Sequence, residues 1–196
     1  MRRLGLALIA TAILTAEVDA QAHDPPLFAA FKAFCVDTGA HPDAVKAAVE
    51  AAGGKLLAPP GATTFPFPMT VTSWDITAGG ASLNVSAGTQ QVPPVQNRAE
   101  ENSNQCVVKS FVNDDTGIQA IRNWAGVTPS LVLPGNPSIS HFDYQEQGSV
   151  RSKLPTAKVD YDKAKIEGRI WSLVVLQAQD GATVQLVHHL APPIPR

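Results

Sequence analysis

The chain has 196 residues, 44% of them hydrophobic, with 15 Lys and Arg against 17 Asp and Glu and a net charge of -2. No stretch gathers Lys and Arg into a stripe, which argues against nucleic acid as a partner. Ordinary apolar content excludes a disordered chain, and the length suits one domain with a proper core.

The first 22 residues read as an export signal. Arg2 and Arg3 supply a positive start, residues 4–14 an uncharged apolar stretch, and Ala20-Gln21-Ala22 a cleavage site. The apolar stretch is well short of the roughly 20 residues that a spanning helix needs. The expected organisation is a signal over residues 1–22 and a single α+β domain over residues 23–196. The expected location is periplasmic or secreted, with no stable membrane anchor after cleavage. An uncleaved anchor is the alternative, because Glu17 and Asp19 make the end of the signal acidic.

Two helices follow. Leu27, Phe28, Phe31 and Phe34 lie on one face of a first helix with prolines at its start. Pro42 opens a second, with Val45, Ala48, Val49 and Ala52 on one side and Gly53-Gly54 as its stop. A proline-rich connector then gives way to period-two alternation. The segments "MTVTSWDIT" and "ASLNVSAG" form a hairpin across Gly79-Gly80, with Val71, Leu83 and Val85 directed inward. Residues 90–104 read as an exposed polar loop and "QCVVKSFV" as a third strand that begins near Cys106.

A third helix is capped by Asp114 or Asp115, carries Ile118, Ile121, Trp124 and Ala125, and stops at Gly126. A loop with Pro129, Pro134 and Pro137 leads to the strand "SISHFDYQEQ" and to a lysine-bearing connector containing Asp160 and Asp162. Two long apolar runs joined at Asp180-Gly181 close the chain. The expected order is α-α-β-β-β-α-β-β-β. It implies an antiparallel sheet of about six strands with helices on one face.

The only cysteines are Cys35 and Cys106. Neither has a further ligand at metal spacing, and an exported protein meets an oxidising compartment, so a structural disulfide is expected, closing about 72 residues. Among the histidines, His188 and His189 are adjacent on a strand and must point to opposite faces, so they cannot hold one ion together. Asp143 and Glu146 are available for acid–base work, but no P-loop, nucleophile elbow or zinc-helix motif accompanies them. No catalytic residue, metal or cofactor is assigned.

The stretch "FCVDTGAHPDAVKAAVEAAG", with a signal in front and a second Cys about seventy residues on, resembles small exported two-cysteine proteins of proteobacteria, a group of unassigned function. The resemblance implies export and carries over no catalytic residue. The leading expectation is a disulfide-stabilised binding or interaction module without catalysis, its partner an unidentified protein or small molecule. The alternative is a hydrolase or metal-dependent enzyme using His141, His188 or His189.

Overall fold

The computed structural model describes residues 24–57, 69–92 and 101–190. The export signal, His23, most of the proline-rich connector and the middle of the polar loop lie outside the described residues. Helix α1 (Pro26–Phe31) widens into a π-helical turn over Lys32–Val36, closed by Asp37 N–H donating to the Lys32 carbonyl at 2.9 Å. Helix α2 (Pro42–Ala51) follows. The strands β1 (Lys55–Leu56), β2 (Met69–Ala78), β3 (Ala81–Val92) and β4 (Glu101–Ser110) precede helix α3 (Asp115–Ala125). After it come β5 (Leu131–Leu133), β6 (Ser138–Gln147), β7 (Val150–Lys153), α4 (Lys158–Ile166), β8 (Ile170–Ala178) and β9 (Gly181–Leu190).

Among the described residues, nine strands join one antiparallel sheet in the order β1-β2-β3-β4-β9-β8-β6-β5, with β7 also paired to β6. The α+β class and the antiparallel sheet agree with the sequence. The six long strands are those that the alternation marks, and β1, β5 and β7 add two to four residues each at the margins. Such short pieces carry no period of their own. Gly79 and Gly80, with φ of 56° and 79°, form the two-residue turn of the β2–β3 hairpin, where both central residues need positive φ.

One face of the sheet is packed. Trp74, Leu83, Val85, Cys106, Val108, Leu173, Val184 and Leu186 meet Leu27, Phe31, Val45, Val49, Ile118 and Ile121 from α1, α2 and α3 in a single apolar cluster. Alternation puts Leu83 and Val85 there, as expected. Val71 is a correction: its register places it on the other face, because the packed face of β2 is set by Trp74 and Ile76. Asp114 is the cap of α3, accepting from Gly117 N–H at 2.8 Å and from Leu27 N–H at 3.3 Å, so one carboxylate fixes two helix starts.

Three readings of the chain change. Residues 90–92 and 101–104 extend β3 and β4 rather than forming loop, and Ser103 and Asn104 are buried there. The connector with Asp160 and Asp162 is helix α4. It buries Ala164 and little else, so no apolar stripe announces it. The β8–β9 turn is Gln179-Asp180, one residue earlier than expected, since Ala178 pairs with Gly181.

Candidate functional site

Cys35 and Cys106 form a disulfide with Cα atoms 5.4 Å apart, inside the main apolar cluster, joining the π-helical turn to the centre of β4. The bond is wholly buried and therefore structural. The chemistry on offer lies elsewhere, on the sheet face that α1, α2 and α3 leave uncovered.

Strand register arranges that face in rows. The middle row runs Val71, Gly88, Gln105, Val187, Ser172, Asp143 across β2, β3, β4, β9, β8 and β6. The row beside it runs Ser73, Ser86, Val107, Gln185, Val174, His141, and on the other side lie Gln90, Ser103, His189, Ile170 and Gln145. Among the described residues of these rows Asp143 is the only charged one; Asp75 and Lys109 stand one row further out.

At one end, polar side chains converge on Asp143. Ser172 Oγ donates to Asp143 Oδ1 at 2.6 Å, Ser130 Oγ donates to Oδ2 at 2.8 Å, and His141 Nε2 lies 3.2 Å from Oδ1. Ser172 Oγ is also 2.9 Å from His189 Nε2. The single hydroxyl proton of Ser172 is committed to the carboxylate, so His189 must donate to Ser172 and is not its base. This is the reverse of an activated serine, whose proton has to point at the imidazole. Ser172 is also 8% exposed, which keeps a substrate carbonyl away from it.

His188 points the other way, as strand geometry requires. It stacks on Trp171 with ring centroids 4.0 Å apart and donates from Nε2 to the Gly168 carbonyl at 2.8 Å. Burial lowers its pKa from the ordinary value of 6.5. Thus His141 and His189 are brought to one network and His188 is not. Glu146 pairs with Arg151 at 3.0 Å, and Asp162 with Lys158 at 2.5 Å. Among the described residues, no group of three or more His, Cys, Asp or Glu is placed to hold a metal ion.

The other end of the middle row is apolar and hollow. Val71, Ser86, Ala87, Gly88, Gln105 and Val107 line a depression of about 220 Å³. Gly88 lines it, and a Cβ there would collide with the Thr70 carbonyl oxygen of β2. Beside it three glutamines form a ladder across β3, β4 and β9. Gln185 Nε2 donates to Gln105 Oε1 at 2.8 Å, and Gln105 Nε2 donates to Gln90 Oε1. The sequence reading missed these residues because Gln90 fell in the assigned loop. The only available signal was the continuation of polar–apolar alternation on either side of that loop.

No family model, curated protein or solved structure matches the chain.

Proposed function

We propose that the protein is an exported, disulfide-stabilised binding module that recognises its partner through the sheet face that α1, α2 and α3 leave uncovered. The observation that carries this reading is the arrangement of that face. It spans six long strands, is neutral through its middle rows apart from Asp143, and holds its amides and hydroxyls in ordered hydrogen-bonded chains. Depletion of charge at the centre, with charged groups at the margin, is the composition of an interface core. Side chains already fixed by their neighbours lose little entropy on binding.

A buried disulfide made by the chain's only two cysteines fits an oxidising compartment. That supports a periplasmic or secreted location. N-terminal sequencing of secreted protein is expected to begin at His23.

The test of the binding reading is a pair of variants. Val174→Lys with Gln185→Lys places two charges at the centre of the face. It is expected to abolish capture of the native partner from the cell envelope while the thermal midpoint holds. The enzyme alternative draws its support from the His141–Asp143 pair. Replacing His141, His188 and His189 together with Ala removes every imidazole on which the enzyme alternative depends. Loss of a measurable turnover in that triple variant, with the fold retained, would replace the binding reading by the enzyme reading.

A further inference from the structure

Building on the binding reading, we infer that the depression at Gly88 and the glutamine ladder beside it form a recognition site for an extended, uncharged peptide segment that anchors one branched aliphatic side chain. The lining carries no charged group and no aromatic ring. Val71 and Val107 supply aliphatic walls, and Ser86 and Gly88 lie between them, around a space of about 220 Å³. An ionic ligand would find no counter-charge there, and a sugar ring would find no aromatic platform.

The polar partners beside the depression are amides. Each internal bond of the ladder uses one group and leaves another. Among the described residues the Gln90 amide nitrogen and the Gln185 carbonyl oxygen take no other partner, so the ladder ends in one donor and one acceptor. The successive peptide groups of an extended chain, each with its own C=O and N–H, are the neutral complement of these two ends.

Length agrees. From Gly88 on β3 to Asp143 on β6 the middle row crosses four strand spacings, about 19 Å. An extended peptide rises about 3.3 Å per residue, so about six residues span the row from the depression to the Asp143 network.

The experiment uses fluorescence anisotropy of the mature protein with labelled, capped hexapeptides of Ala, Ser and Gln that contain one Leu or Val, or Ala in its place. The aliphatic peptides are expected to bind at least ten-fold more tightly than the Ala peptide. Val107→Trp, which fills the depression from a half-buried position, is expected to remove that ten-fold preference without moving the thermal midpoint. Val71→Phe, from the neighbouring strand, repeats the test if Val107→Trp destabilises the fold. Failure of every peptide to saturate below about 1 mM, or an aliphatic preference that survives both variants, would overturn the inference. So would an N-acetylated oligosaccharide that binds where the peptides do not, or a dimer of the protein that Val107→Trp abolishes. If Val174→Lys with Gln185→Lys removes native capture while no peptide binds, the binding reading stands and the peptide assignment falls.

Discussion

His188 shows how one residue is decided by its surroundings. Its ring is held flat against Trp171 and its Nε2 proton is given to the Gly168 carbonyl, while burial disfavours the imidazolium. The folded state therefore binds this proton less readily than the unfolded chain, whose His titrates near 6.5. Stability from the neutral ring is complete above that pH and is lost as the pH falls through the lowered folded value. Urea unfolding of the wild type is expected to show a falling midpoint on acidification below about pH 6.5. His188→Phe, which keeps the stack and cannot take up a proton, is expected to flatten that slope. An equal slope in both proteins would assign the acid sensitivity to other groups. Arg151 is a second such residue: it lies 3.7 Å over the Trp124 ring, pairs with Glu146 and donates to the Trp124 carbonyl at 2.7 Å.

At the scale of elements, two tethers set how the helices sit on the sheet. Asp114 caps α3 and also receives the Leu27 N–H at the start of α1, while Phe31 packs edge-on against Trp124 at 5.1 Å. Asp114→Ala is expected to cost about 1 to 2 kcal/mol in chemical denaturation, the upper part of the range for an N-cap because two helix starts lose their acceptor. Asp114→Asn should recover most of it. The second tether is the disulfide, which spans 71 positions. Loop-closure entropy values it at about 4 kcal/mol. Cys35→Ala with Cys106→Ala is expected to lose that much, read as a lower denaturant midpoint, with the hairpin β8–β9 still paired in any residual structure. An unchanged midpoint would mean that packing alone holds α1 to β4.

For the whole molecule, the asymmetry between the two sheet faces is the central fact. The packed face holds Trp74, Leu83, Val85, Val184 and Leu186 at 1% exposure or less, and a change there leaves a cavity. Leu83→Ala is expected to cost about 2 to 5 kcal/mol. Val174 and Gln185 are only half-buried and a Lys can reach water from either position, so Val174→Lys with Gln185→Lys should stay within about 0.5 kcal/mol per substitution of the wild type in thermal or chemical unfolding. A loss of several kcal/mol there would mean that the face is part of the folding core, and the proposed recognition surface would have to be abandoned.

Period and punctuation determined much of this molecule in advance. The aromatic stripe of residues 27–34, the glycine turn at Gly79-Gly80, the Asp114 cap and the two-cysteine count each act over a few positions, so helix, hairpin and cross-link were legible from residues alone. Alternation likewise required His188 and His189 to part company. Helix α4 was illegible because it buries little beyond Ala164, and the ends of β3 and β4 were hidden because both faces carry polar residues there, Thr89 and Asn104 on one and Gln90 and Ser103 on the other, so no apolar alternation marks them. The candidate site was beyond reach as well. Its rows join residues more than a hundred positions apart, and nothing local in Gly88, Gln105, Ser172 or Asp143 states that register will align them. Which residues share a face is a property of the strand; which strands are neighbours is settled only when the whole sheet packs, because the order β4-β9-β8-β6 is fixed by burying one apolar face beneath three helices.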